Sequence, residues 1–313
     1  MKQLSRQQFL QVENWILRHA RPLDAARYAI LFQNGSTGDF LSLLAQYQNP
    51  DGGFGRALEP DNWNPASTPN TTCMAVLAMR SIGFEDAGHP IVQGILRYLR
   101  GCPLDGDGCF PFTLPSNNGY PHAPWWTHSA QINARHNLGF SAELAAFILH
   151  TCSAGDPLYQ RALVICQLAL QALMDKQPIG ECSLSGYASL LPHWANQKHP
   201  WSLAEITAQF RDTCNASIVR DKARWEGYVI HPSLVIHSPA SMLYPGNEAI
   251  VKEELDWLVD SLPPDGIWPL GATWLENDQV YPQELAVSQL WWKSVQATEK
   301  LLFLRAFNRL SPS

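Results

Sequence analysis

The sequence predicts an all-α protein built from stacked helical hairpins, and three observations predict it. Apolar residues recur at three- and four-residue spacing wherever a period is clear, as at Phe40, Leu43, Leu44 and Tyr47 and at Ile91, Ile95, Tyr98 and Leu99. Helix start and stop signals stand at the ends of such runs. A short phrase of Asp, Gly and an aromatic returns along the chain. Strand-like alternation is scarce.

The elements follow in order. Met1 to Leu17 carries Lys2, Arg6 and Glu13 and reads as an amphipathic helix, with helical pattern over 5–19 and again over 23–33. Phe40 to Tyr47 forms a third. Thr68-Pro69 opens a fourth, because proline suits a first helical turn, and Gly83 closes it. Ile91 to Leu99 is a fifth, with Gly101 as its C-terminal cap. Further helices are predicted over 140–152, 157–174 behind Asp156-Pro157, and 183–191. Ser202 with Glu205 makes a capping box ahead of Ile206 and Phe210. The stretches 247–261 and 282–308 complete roughly ten helices. Trp291 and Trp292 lie in the last, with Val295 and Leu302 on one face, the pattern of core packing.

At 313 residues the chain suffices for one large domain or two smaller ones. Only 16% of residues are charged, which implies extensive burial and favours a single domain over 1–313. A net charge of -6 without a Lys/Arg run excludes an electrostatic footprint for nucleic acid or an anionic membrane. No segment reads as a membrane span or a signal peptide. The seven cysteines are odd in number and several fall in apolar helical patterns, which points to a reducing cytoplasm.

Long polar connections over 49–67, 102–135 and 262–281 separate the helices, and loops of that length in a compact domain are usually functional. Asp51-Gly52-Gly53-Phe54, Asp107-Gly108-Cys109-Phe110 and Asp265-Gly266-Ile267-Trp268 form a degenerate repeat at the spacing of helical hairpins. Glycine supplies the positive φ of a turn, the acid binds nearby backbone, and the ring plugs into the adjoining hairpin. Asp-Gly pairs also mark ordinary turns.

Gln48-Asn49-Pro50-Asp51-Gly52-Gly53-Phe54-Gly55, followed by Pro65, Thr72, Ala75, Leu77 and Ala78, resembles the repeat of protein prenyltransferase β subunits and squalene-hopene-type terpene cyclases. The resemblance covers residues 40–83 and is weak at 104–112 and 262–270. It implies an α/α toroid, a ring of inner and outer helices around a central cavity, in which distant acids and aromatic rings face one shared hollow. The D-x-D-D motif with which class II cyclases protonate an alkene is absent, Asp105-Gly106-Asp107 being the nearest approach. The D-D-x-x-D metal motif of class I synthases is absent too, and the Asp, Cys and His zinc pattern of the prenyltransferases finds no counterpart. A divergent member on the same scaffold is the expectation.

Four clusters carry candidate chemistry. In Glu59-Pro60-Asp61-Asn62-Trp63-Asn64-Pro65, Glu59 and Asp61 are candidate acid and base, since burial against Trp63 would raise one pKa while the other stayed ionised. Alternatively, Asp61 and Asn64 orient the loop through backbone hydrogen bonds. The second cluster, Tyr120 to His128, offers Trp125, Trp126 and His122 as cavity walls and His128 as a proton carrier. Its histidines, with His136, have no compact metal spacing, so neither a metal nor any other cofactor is expected, and hydrogen-bonded loop histidines are the alternative. In the third, Trp225 and Tyr228 flank Glu226, which is either a catalytic partner for Asp61 or one half of a surface ion pair with Lys222 or Arg224. Trp268, Trp274 and Glu276 form the fourth. No P-loop or serine-hydrolase elbow occurs.

The expected function is that of an enzyme with an aromatic cavity, acting by carboxylate or histidine acid-base chemistry on a small apolar, isoprenoid-like substrate. Its rivals are a glycoside hydrolase or polysaccharide lyase on the same scaffold, since Trp and carboxylate clefts suit sugars, and a non-catalytic binding module.

Overall fold

Helix-forming signals dominate the chain, and the computed structural model, which describes residues 2–179, 183–195 and 197–311, is correspondingly all-helical. Among the described residues there are eleven α-helices and no β-strand, only isolated bridges. None of those helices is long and apolar enough to cross a membrane. The chain divides into two compact units, Met1–Phe40 with Cys214–Ser313, and Leu41–Thr213. Helices α3 (Thr37–Ala45) and α9 (Leu203–Ser217) carry the chain between them.

The first unit joins the two ends of the chain. It holds α1 (Arg6–His19), α2 (Pro22–Gln33), α10 (Glu248–Asp260) and α11 (Pro282–Ala306). A capping box starts α1: the Ser5 hydroxyl accepts from the Gln8 N–H at 3.2 Å, and the Gln8 side chain accepts from the Ser5 N–H at 3.0 Å. Leu4 pairs with Leu310 through Leu4 N–H to the Arg309 carbonyl at 2.8 Å and Ser311 N–H to the Leu4 carbonyl at 2.9 Å, so α1 packs along α11. Arg21 binds Asp24 at 2.7 Å and stacks its guanidinium 4.9 Å from the Trp291 ring. Trp291, Trp292, Val295 and Leu302 are only half buried. The buried residues of α11 are the small Ser288, Ser294, Ala297 and Thr298, followed by the larger apolar Leu301, Phe303 and Leu304.

The second unit contains α4 (Pro69–Ser81), α5 (Pro90–Gly101), α6 (Ala130–Thr151), α7 (Pro157–Met174) and α8 (Leu184–Trp194). Prolines open α4, α5 and α7, each behind a capping residue: the Thr68 hydroxyl accepts from Thr71 N–H at 3.0 Å and the Asp156 carboxylate from Leu158 N–H at 2.8 Å. Gly83, at φ +69°, ends α4 as expected, with Phe84 N–H donating to the Met79 carbonyl at 3.1 Å. The capping box of Ser202 and Glu205 is present. Gly101 instead remains inside α5, which ends on extended Cys102.

Helix α6 is central to this unit and packs against α4, α7 and α8. A Cβ on Gly139 would stand 1.7 Å from the Ser183 hydroxyl, so only glycine permits that crossing of α6 with the start of α8. The helix begins ten residues before the predicted 140, at a Ser129 cap. Its first turns carry Asn133 and Asn137, poor helix formers that hid the periodicity and that serve the preceding loop.

The cysteines at 73, 102, 109, 152, 166 and 214 are free. Burial pushes the thiols of Cys109, Cys166 and Cys214 up to about 12, which leaves them inert packing groups. Cys182 lies outside the described residues.

Candidate functional site

Two copies of the turn phrase launch the two loops that carry most of the predicted residues. In the first, Asn49 N–H donates to the Gly53 carbonyl at 2.8 Å, Gly52 N–H to the Asn49 carbonyl at 2.9 Å, and Gly53 N–H to the Asp51 carboxylate at 2.9 Å. Phe54 N–H then donates to the Thr72 hydroxyl of α4 at 3.0 Å, and the Phe54 ring is fully buried. The second copy repeats every bond. Asp105 N–H donates to Cys109, Gly108 N–H to Asp105, Cys109 N–H to the Asp107 carboxylate, and Phe110 N–H to the Ser141 hydroxyl of α6, each at 2.9 Å. The third copy shares the positive φ of Gly266, +80°, with Gly266 N–H on the Pro263 carbonyl at 3.0 Å; proline at that first position has no N–H for the outer bond.

After the first copy the backbone takes two consecutive left-handed residues, Arg56 and Ala57, both at φ 57°. Each non-glycine residue there costs about 1–2 kcal/mol, so the surroundings must hold the bend. Arg56 N–H binds the Asn64 carbonyl at 2.9 Å and closes the loop on itself. Inside it, Asp61 N–H reaches the Glu59 carboxylate at 3.3 Å, Asn62 N–H the Glu59 carbonyl at 3.0 Å, and the Trp63 indole N–H the Pro60 carbonyl at 3.0 Å. Glu59, Asp61, Asn62 and Asn64 are buried and Trp63 is half buried.

The loop after the second copy docks onto the first. Trp63 N–H donates to the Pro121 carbonyl at 2.9 Å and Ala123 N–H to the Asp61 carbonyl at 2.9 Å, an antiparallel bridge of Asn62 with His122. The Asn64 amide binds Ser116 at 2.9 Å and Asn117 at 3.0 Å, and the Asn117 amide in turn binds the Trp126 carbonyl at 3.0 Å. Glu59, Asp61, Trp63, His122 and Trp126 thus belong to one pair of loops.

His122 is buried, its Nδ1 2.6 Å from the Tyr120 carbonyl and its Nε2 3.0 Å from the Thr127 hydroxyl. His128 contacts Thr113, 3.1 Å from the carbonyl and 3.3 Å from the hydroxyl, and so serves the α6 end of the loop. His136 stacks on Phe112, and burial lowers its pKa. Among the described residues no three His, Cys, Asp or Glu side chains are arranged to hold a metal ion. Trp125 is 37% exposed and Trp126 only 7%, its ring centroid 4.9 Å from that of Phe112. Two buried donors here, Asn62 Nδ2 and Trp126 Nε1, have no hydrogen-bond partner.

The network of Asn133 and Asn137 supports this loop from α6. Both amides donate to Asp105, at 3.0 and 2.9 Å, and Asn137 also to Asp107 at 3.1 Å. Their carbonyl oxygens accept from Thr113 N–H and Phe112 N–H at 2.9 and 2.8 Å. The Asp105-Gly106-Asp107 phrase therefore binds these amides and shapes the turn.

The remaining predicted residues lie in the first unit. Glu226 and Tyr228 are exposed, while Trp225, Trp268 and Trp274 are buried. Lys222 pairs with Glu253 at 3.3 Å. A Cβ on Gly271 would fall 2.7 Å from Gly227, so the 262–281 loop runs close beside the Glu226 turn. Trp225 meets Trp257 edge-on at 5.6 Å, and His231 stacks on Trp257 at 5.4 Å.

Around these rings stands a charged group that the sequence reading missed. Glu254 of α10 accepts from the Ser233 hydroxyl at 2.5 Å and its N–H at 2.8 Å, and lies 3.5 Å from His231. Lys300 of α11 sits 5.3 Å from the Trp268 ring. Burial raises Glu254 to about 7. Burial and Lys300 lower His231 to about 4, and burial lowers Lys300 to about 8. The signal was present: Glu254 interrupts the apolar stripe of Ile250, Val251, Leu255 and Leu258, and Lys300 stands between Ala297 and Leu304 on theirs.

In comparison with known proteins, no protein-family model matches the chain, and no curated protein or solved structure gives a significant match.

Proposed function

We propose that the chain is an enzyme on an α/α-toroid scaffold, divergent from the terpene cyclase and prenyltransferase group, that uses Glu59 and Asp61 as its acid-base pair. Support for the scaffold comes from the turn phrases. Each lies between two helices and faces a further one: a Cβ on Gly52 would strike Gly94 of α5, one on Gly266 would strike Gln11 of α1, and one on Gly108 would stand 4.0 Å from Leu168 of α7. A succession that passes from α11 back to α1 is what a ring of hairpins requires.

The substrate best suited to the loop pair is polyhydroxylated, with glycoside hydrolysis or polysaccharide elimination as the reaction class. The observation that carries this reading is the pair of unpartnered buried donors, Asn62 Nδ2 and Trp126 Nε1, beside buried carboxylates and half-exposed tryptophan faces. Buried polar groups find partners, and hydroxyl oxygens would supply them while sugar faces stack on Trp63 and Trp125. One carboxyl donates a proton to the leaving oxygen and the other takes one from water or from carbon. A second reading, an apolar isoprenoid substrate, is favoured by the likeness of residues 48–55 to the cyclase repeat.

Turnover of a panel of oligosaccharides and a panel of isoprenoid diphosphates and alkenes, followed by mass spectrometry, separates the two. The expected result is activity on a glycan, reduced about 10²–10⁴-fold in Asp61→Asn and Glu59→Gln with circular dichroism unchanged. Folded variants with full activity would overturn the assignment of the acids, and turnover confined to the isoprenoids would establish the second reading instead.

A further inference from the structure

At the opposite end of α4 and α6 from the two loops, roughly 16 Å along α4 from its first residue, the second unit contains a separate cavity of about 340 Å³. Its size lies within the range of small-molecule sites. Val76 and Met79 of α4, Phe84, Val92 of α5, Phe147 of α6 and Pro192 of α8 give it apolar walls. Its polar end is Glu143 of α6, 4% exposed, with Arg80 and Ser189. Arg80 binds Glu143 Oε1, Ser189 lies 3.4 Å from the same oxygen, and Arg80 also donates to Ser189 at 2.6 Å. Glu143 Oε2 is buried with no hydrogen-bond partner.

An unpartnered carboxylate oxygen at the wall of a cavity with apolar sides calls for a donor from outside the chain. The lining sets the sign of that donor. Glu85, Asp86 and Glu143 outnumber the single guanidinium of Arg80, which binds only the other oxygen, Oε1, of Glu143. Burial and the neighbouring His150 hold His193 toward its neutral form, so that it does not offset the acids. We propose that this cavity binds a primary ammonium ion carrying a short apolar chain, with the ammonium on Glu143 Oε2 and the chain against Met79, Phe84, Val92 and Phe147. A carboxylate ligand would meet three like charges, and a neutral alcohol would forgo the charge-assisted bond.

Isothermal titration of the full chain with n-hexylammonium chloride, n-hexanol and hexanoate tests this. Hexylammonium is expected to bind saturably at one site, hexanol at least tenfold more weakly, and hexanoate not at all. Glu143→Gln should weaken hexylammonium at least tenfold. Because Glu143 also holds Arg80, a second variant leaves it untouched: Ala87→Trp, at a half-buried position in the lining, fills the cavity and should abolish binding while thermal stability is retained. Equal binding of the three probes, no binding of hexylammonium, or hexylammonium binding unchanged in Ala87→Trp would each overturn the proposal, the last two leaving water as the partner of Glu143.

Discussion

The turns at Asp51–Phe54 and Asp107–Phe110 make the same four hydrogen bonds, yet they sit in different surroundings and introduce different loops. Gly52 is pressed against α5, where an added Cβ would lie 2.1 Å from the Gly94 carbonyl oxygen, and the Gln48 amide binds both the Gly52 and Ile91 carbonyls at 2.9 and 3.0 Å. A Cβ on Gly108 would have room, the nearest side-chain atom being 4.0 Å from it. The second turn is held from α6 instead, by Asn133 and Asn137 on Asp105 and Asp107. One local device is thus secured by backbone contact in one place and by buried amides in the other. The candidate acids and rings stand in the loops that follow, which meet at one bridge between Asn62 and His122.

The comparison breaks most sharply at the glycines. Gly52→Ala is expected to cost about 3 kcal/mol or more, because neither the backbone oxygen it strikes nor its φ of +96° can relax cheaply. Gly108→Ala should cost only the left-handed conformation, about 1–2 kcal/mol. Denaturant midpoints of the two variants check the inequality, and equal losses would remove the distinction between the turns.

The third copy sharpens it, for Trp268 places its ring beside Lys300 and hence near the buried Glu254. Glu254 has its carboxyl raised from 4.5 to about 7, so its protonated form favours folding, and that stability is complete below pH 4.5 and lost as pH rises through 7. Glu254→Gln abolishes the dependence. Relative to the parent, the variant should gain stability between pH 4.5 and 7, by on the order of 1–3 kcal/mol. Unfolding curves at several pH values read this directly, and parallel profiles would contradict it. His231, lowered to about 4, destabilises the fold as pH falls below 6.5, opposite in sign to Glu254.

The smallest effect concerns the hydroxyls that receive the phenylalanine N–H groups. Thr72→Val and Ser141→Ala each strand a buried amide and should cost about 1–2 kcal/mol, alike within error if the two turns are equivalent. A loss at one site alone would show the repeat to be uneven.

The helices were legible in the sequence because their signals are local: Thr68-Pro69, Asp156-Pro157 and Ser202 with Glu205 act within one turn. The first turn phrase was legible for the same reason. The early start of α6 was hidden, since Asn133 and Asn137 are chosen for the loop they bind and contribute little to helix propensity. Of the candidate site, the residues Glu59, Asp61, Trp63, His122 and Trp126 stood out by composition, but their meeting depends on a bridge between segments some sixty positions apart, which no local pattern encodes. Glu254 and Lys300 do not stand out in loop composition, because they are single charges set in the apolar stripes of helices.

The most direct test of the central claim, that the two loops build one site, is a double-mutant cycle on turnover with Asp61→Asn and Trp126→Phe. Residues serving one bound substrate are expected to couple by about 1 kcal/mol or more. Additivity to within about 0.5 kcal/mol would mean that the loops touch without acting together.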